Sequence, residues 1–339
     1  MGRAADQFFL PLACRAPVPA GILIKGKTMT GEFDLIKKII KKIPRRLQGN
    51  LPLGDDAGLL RLAAKSGVWV STDTLVDGVD FRLGKLPPEA VGRKALAINL
   101  SDMAAMAVKP SAFVVSLGIP KSLSERWILR FYDGLLRMAN SYKSACLGGD
   151  ISRSRQFFAT VTILGESGPD GGVCRSGAKS GDCIGVTGFL GGSILGHHFS
   201  FEPRVAESLF LRKYAKPHAM IDISDGFLQD LGHILEASGV SARLELESIP
   251  VSPAALKLGR GNSRKALEHA LSDGEDFELM FTVSPAEKNK IDQLWHRFFP
   301  RVRLSWVGEI TPGIRPIRWV CGGRPIPSPK IARNGFSHF

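Results

Sequence analysis

Residues 87–108 read PPEAVGRKALAINLSDMAAMAV. Proline suits the first helical position, so Pro87-Pro88-Glu89 opens a helix that runs to about Val108, and Pro110 closes it. Asp102 stands inside this helix among Leu96, Leu100 and Met103, where helix propensity gives an aspartate no reason to be. To the N-terminal side, VWVSTDTLV at 68–76 reads as a strand, interrupted by Asp73 with Ser71, Thr72 and Thr74 offering further oxygens. To the C-terminal side come a strand at Ala112 to Leu117 and a helix capped by Ser124 that runs to about Ser141. A short strand at Ala145 to Leu147 ends in the turn Gly148-Gly149-Asp150, and a long strand covers Phe157 to Leu164. Further out, Phe33, Ile36, Ile39, Ile40 and Ile43 recur at helical spacing up to Pro44, and Gly54-Asp55-Asp56 forms a turn.

The composition turns glycine-rich and polar at 165–172 (GESGPDGG), which marks a domain boundary. Beyond it the mixed pattern resumes. Strands are expected at Cys183 to Thr187, Met220 to Ile223, Ala242 to Leu246, Phe277 to Val283 and Arg303 to Val307. Helices are expected at 204–214, from Asp225 onward, and at 285–298, with glycine turns at 188–192 and at Asp273-Gly274. Both halves are therefore α+β, mixing strands and helices. A chain of 339 residues suits two domains of about 150 residues each. The expected division is an N-terminal extension at 1–28, a first domain at 29–166 and a second at 167–339.

The net charge of +13 invites a nucleic-acid reading, but its location argues against one. Residues 1–50 hold ten Lys/Arg against three Asp/Glu, and residues 301–339 hold seven against one, so everything between balances. A nucleic-acid footprint needs basic residues gathered on one face or in a known module, and neither is present. The five cysteines are scattered without a CxxC pair, which indicates neither a zinc site nor a disulfide framework and suits a reducing, cytoplasmic setting. No run of about 20 apolar residues suggests a membrane span. Gly21 to Thr28 matches a P-loop formally, but bulky Ile22, Leu23 and Ile24 follow a proline-punctuated stretch rather than a core strand, so the match is coincidental.

The aspartates carry the chemistry. Asp56, Asp73, Asp102, Asp150, Asp222 and Asp225 each lie beside an apolar run, a costly place for a carboxylate without a partner. Carboxylates gathered in one cleft repel one another unless a divalent cation neutralises them, and oxygen ligands at this density suit Mg²⁺ with substrate phosphates. Phosphoryl transfer needs that arrangement. Each motif also has a plainer explanation. Gly-Asp-Asp is a common turn, and helix capping is the commoner role for an aspartate placed like Asp225. The turns at 148–150 and 188–192 could bring backbone N–H groups to phosphates or be tight turns only.

The segments GEFDLI (31–36), GDDAGLL (54–60), STDTLVDGVDF (71–81), GRKALAINLSDMAAM (92–106), LGGD (147–150), RSGAKSGD (175–182), DISDGFLQDLGHI (222–234), DGEDFELMFT (273–282) and GFSHF (335–339) occur in one order. Together they resemble the thiamine-monophosphate kinase family, within the aminoimidazole ribonucleotide synthetase-like superfamily. The resemblance implies a two-domain fold whose N-terminal domains pair through their sheets into a homodimer, with an α+β C-terminal domain closing over the nucleotide. It implies phosphorylation of thiamine monophosphate by ATP with Mg²⁺, by direct in-line transfer. By motif, Asp56, Ser71, Thr72, Asp73, Asp102, Asp150, Asp222 and Asp225 would hold metal, with Asp73, Asp102 and Asp150 central to catalysis. Gly149, Asp150, Arg175 and Ser224 would contact ATP. Asp80, Glu275 and Phe336 would meet the acceptor, a carboxylate and an aromatic ring suiting a cationic heterocycle. The sequence departs from the family at Asp80, where the family has a histidine, and a carboxylate there repels a phosphate unless metal or a proton intervenes. Two other readings compete: a related ATP-dependent enzyme with a different acceptor, and a non-catalytic nucleotide- or RNA-binding protein.

Overall fold

The computed structural model describes residues 38–45, 68–166, 171–314 and 316–329. The formal P-loop, Asp56, Phe336 and the proposed extension at 1–28 lie outside the described residues.

The first sheet has four strands: β1 (Val68–Val76), β2 (Lys109–Ile119), β3 (Ala145–Arg153) and β4 (Phe158–Glu166). Their order is β1-β4-β2-β3, antiparallel except for the β2–β3 pair. Parallel neighbours need a crossover, and α2 (Glu125–Ser141) supplies it. β4 alternates strictly, burying Ala159, Val161 and Ile163 on the face that meets the helices α1 (Pro88–Ala105) and α2. The opposite face carries paired hydroxyls, with Thr72 Oγ1 3.0 Å from Thr162 Oγ1 and Thr74 Oγ1 2.8 Å from Thr160 Oγ1.

α1 is buried on almost every side, whereas α2 is amphipathic and turns Ile128, Phe131, Leu135 and Ala139 inward. The two helices meet through glycine. A Cβ on Gly92 would lie 1.9 Å from the Phe131 carbonyl oxygen, and one on Gly134 would lie 1.9 Å from that of Glu89. Each backbone thus occupies the space that the other's side chain would need. Gly134→Ala is expected to lower stability by about 1–3 kcal/mol, measured as a reduced urea midpoint. An unchanged midpoint would mean that the helices can separate freely.

The second sheet has seven strands in the order β11-β10-β7-β9-β5-β8-β6. They are β5 (Cys183–Thr187), β6 (Ala219–Asp222), β7 (Ser241–Glu245), β8 (Leu279–Val283), β9 (Leu304–Thr311), β10 (Arg318–Cys321) and β11 (Arg324–Ile326). Both faces are covered. Ile221 and Met280 point into one apolar cluster with Phe227, Leu231 and Ile234 of α5 (Phe227–Ser238). Met220, Phe281 and Val283 point into another with Phe210 of α4 (Val205–Tyr214) and Trp295 of α8 (Pro285–Phe298). This second cluster also takes in Ala104, so α1 packs against both sheets. A short helix, α3 (His197–Ser200), lies between β5 and α4. Two further helices, α6 (Pro253–Leu258) and α7 (Ser263–Ser272), and the strands β10 and β11 carry no expectation from the sequence.

One expected boundary moves in a way that matters. Gly148-Gly149-Asp150 is not a turn but lies within β3, which continues to Arg153. Gly149 pairs with Val115, and a Cβ there would lie 1.8 Å from the Val115 carbonyl oxygen, so the strand pairing itself requires glycine.

Candidate active site

α1 is the axis of the site. Ser71 of β1 donates a hydrogen bond to the Asp102 carboxylate, and Asp73 lies against Asp102. One residue before Asp102, the Ser101 hydroxyl donates to Asp222 at 2.6 Å. Asp222 ends β6 and is buried. Three of the expected carboxylates, Asp73, Asp102 and Asp222, are therefore brought together, one from each of three elements.

Their charges are ill-matched to this crowding. Burial, reinforced by repulsion from Asp73, pushes Asp102 up to about 7. Burial, reinforced by Asp102, pushes Asp222 up to about 7. Asp73 is raised mainly by burial, with Asp222 and Asp80 adding to the effect and the Asp102 hydrogen bond opposing it. Arg175, exposed at the rim, draws Asp102 and Asp222 back down. An all-oxygen donor set with excess negative charge fits a hard divalent cation.

Two cavities meet at these carboxylates. The larger, of 530 Å³, is lined by apolar Trp69, Met106 and Met220 and also by Arg175 and Cys174. The smaller, of 140 Å³, is lined by Asp73, Asp80, Lys94, Ser224, Asp225 and Glu275. Asp102 and Asp222 line both.

The floor of the smaller cavity is a pair of loops pinned backbone to backbone. Glu275 N–H donates to Ser224 O at 2.7 Å, Phe277 N–H to Ile223 O at 2.8 Å, and Ile223 N–H to Glu278 O at 2.8 Å. Glu275 and Phe277 have φ of 64° and 50°, left-handed values that are uncommon for residues with a side chain and concentrate at functional sites. The motifs at 222–225 and 273–278, distant in sequence, thus form one unit. Asp225 does not cap the helix after it. Gly226 holds the cap position without a side-chain bond, and Asp230 accepts from the N–H groups of Ser224, Asp225 and Gly226 at 3.1 Å each. Asp225, Asp230 and His233 lie with ligand atoms within 4.8 Å of one another. Asp80 has one oxygen occupied, accepting from Val76 N–H at 2.7 Å.

Asp150 and Gly149 do not join this cluster within the chain. Asp73 pairs across the sheet with Val161 and Val115, on the inner face. Asp150 pairs with Ser116, on the outer face with Thr160 and Thr74, and three strand spacings from β1. Thr72 faces outward in the same way and is exposed. Among residues without a sequence-based expectation, Ser101, Asp230 and Lys94 are built into the site. Lysine is a good helix former, so propensity does not single out Lys94, and only its charge within the same apolar helix could have marked it.

With this geometry, the comparisons with known proteins are informative. Residues 54–167 match the family model described as AIR synthase related protein, N-terminal domain. The chain is 45% identical over 217 residues to the thiamine-monophosphate kinase of Rhodopirellula baltica, covering 64% of this chain and 68% of that one. It is 35% identical over 332 residues to the Escherichia coli K12 thiamine-monophosphate kinase, covering 91% of this chain and 98% of that one. The structure of AaThiL complexed with AMPPCP and TMP superposes with a TM-score of 0.69 at 28% identity, covering 91% of this chain and 97% of that one. The chain, with its two-sheet aminoimidazole ribonucleotide synthetase-like fold and its shared wall of carboxylates, belongs to the thiamine-monophosphate kinase family.

Proposed function

We propose that this protein transfers the γ-phosphoryl group of ATP to the phosphate of thiamine monophosphate, giving ADP and thiamine diphosphate. The observation that carries this reading is the pair of cavities that share Asp102 and Asp222. The larger is of a size that holds small ligands and has an apolar wall suited to a base, with Arg175 available to a phosphate. The smaller takes the acceptor. A phosphate monoester is largely dianionic at neutral pH, so its attacking oxygen needs no general base. The carboxylates at the shared wall are thereby left to hold Mg²⁺, with Ser71, Asp73, Asp102, Asp222 and Asp225 as its proposed ligands. When bound, the metal would neutralise charge on the transferring phosphate. Ser224 is proposed to contact ATP, Glu275 the cationic heterocycle, and Asp80 the acceptor's side of the site.

The reading includes a homodimer paired through the first sheet, which gives Asp150 and Thr72 a role. Both lie on the outer sheet face, so Asp150 meets the carboxylate cluster only when a second copy carries it there. No helix among the described residues is long and apolar enough to cross a membrane, and Cys146, Cys174, Cys183 and Cys321 are free, in keeping with a reducing compartment.

The direct test is ADP release from Mg-ATP with and without thiamine monophosphate, with thiamine diphosphate identified as product. Product that depends on both substrates is expected, and its absence would send the search to another acceptor. A second test follows from the carboxylate shifts. Asp102 and Asp222 are raised from 3.8 to about 7, so in the metal-free protein they favour stability at low pH. That contribution fades as pH rises from about 4 through about 7. Mg²⁺ relieves the repulsion only where both are ionised. It is expected to raise the melting temperature by roughly 5 °C or more at pH 8, and by much less at pH 5.5. An equal shift at both values would detach the metal from these carboxylates.

A further inference from the structure

Lys94 lies on α1 with its side chain fully buried. Its ammonium is ion-paired with Glu275 and lies 4.7 Å from the centre of the Phe199 ring. Lysine is among the residues least often buried, and a buried ammonium is costly unless its charge is used. A structural ion pair would explain the burial, but the location points further. Glu275 is only partly covered, at 28% exposure, so the carboxylate is still open to the cavity. Lys94 is the one cation among the described residues lining the smaller cavity, against six carboxylates. An anionic acceptor entering that cavity meets favourable charge at one side chain.

Resting on the reading that the acceptor is thiamine monophosphate, we propose that Lys94 and Glu275 form a separable charge pair that selects a zwitterionic acceptor. The acceptor's phosphate takes the Lys94 ammonium, and its cationic ring takes the Glu275 carboxylate. One internal ion pair is thus exchanged for two external ones. A phosphate without the cationic ring leaves Glu275 unpaired, and the ring without the phosphate leaves Lys94 unpaired, so each half alone breaks the pair without replacing it. The unusual backbone at Glu275 fits this role, because the pinned loop fixes the carboxylate's direction toward α1.

The experiment compares wild type, Lys94→Met and Glu275→Gln in steady-state turnover, and in calorimetric binding of thiamine monophosphate and of thiamine, which has the ring but no phosphate. For Lys94→Met the KM for thiamine monophosphate is expected to rise roughly 30- to 100-fold, with the KM for ATP and kcat within about threefold of wild type. Thiamine is expected to bind Lys94→Met several-fold more tightly than wild type, since Glu275 is released, and to bind Glu275→Gln more weakly. Lys94→Met leaves behind only a carboxylate that reaches solvent, so folding is expected. If it fails to fold, Lys94→Gln takes its place, with the same expected split between thiamine and thiamine monophosphate. A parallel loss of thiamine and thiamine monophosphate binding in Lys94→Met, an equal rise in both KM values, or unchanged thiamine binding by Glu275→Gln would overturn the proposal. Wild type that makes no thiamine diphosphate overturns the underlying assignment instead, a result that the variants do not mimic.

Discussion

Asp102→Asn is expected to cut kcat by about a thousandfold or more while leaving the metal-free protein at least as stable as wild type at pH 8. The two effects have one cause. Asp102 is raised to about 7 because burial and Asp73 oppose its charge, so removing that charge relieves the metal-free fold. Asparagine keeps an oxygen that can accept from Ser71, so the local hydrogen bond survives. The same change takes a charged ligand from the wall shared by the two cavities, where the cation is needed. Activity measured beside thermal melting separates the possibilities. Near-normal turnover would remove Asp102 from the metal site, and a large loss of stability alongside the loss of activity would make it a structural residue.

The second large effect is a recovery. Asp102→Asn and Asp150→Asn are each expected to be nearly inactive, yet a mixture unfolded and refolded together should regain about a quarter of wild-type activity. If each site combines Asp102 of one copy with Asp150 of the other, a mixed dimer has one intact site and one doubly damaged site. About half of randomly paired dimers are mixed, which gives that fraction. The structural basis is the register of the first sheet, which puts Asp150 on the outer face and Asp73 on the inner one. Without recovery, Asp150 would have to act within its own chain, and the four-stranded sheet would have to rearrange to allow it.

Much of this architecture is legible in the sequence because it rests on local rules. Proline and serine set the ends of α1 and α2, strand-like runs mark β1 and β4, and an aspartate among leucines marks Asp102 as anomalous. What escapes depends on pairing at a distance. The glycines at 148 and 149 look like a turn because glycine is common there, but they lie within β3, where Gly148 takes a φ of 138° and Val115 leaves no space for a side chain on Gly149. Asp225 reads as a helix cap, whereas Gly226 holds that position without a side-chain bond, and Asp230 reaches back from inside the helix to the N–H groups of Ser224, Asp225 and Gly226. The role of Ser101 is invisible in one dimension, since its partner Asp222 is 121 residues away. The helix α6 and the strands β10 and β11 are too brief for periodicity to reveal, and α7 is missed beside them.

The glycine contact between α1 and α2 bears on how this scaffold can be changed. Gly92 and Gly134 line neither of the two cavities that meet at the carboxylates, yet they set the depth at which α1 lies, and α1 carries Lys94, Ser101 and Asp102. A screen that scores variants by yield of active protein would therefore flag these two glycines beside the metal ligands, although they contribute no chemistry. An engineer redirecting the enzyme to a new acceptor could rewrite the walls of the smaller cavity apart from its metal-binding carboxylates, but would have to inherit both glycines unchanged.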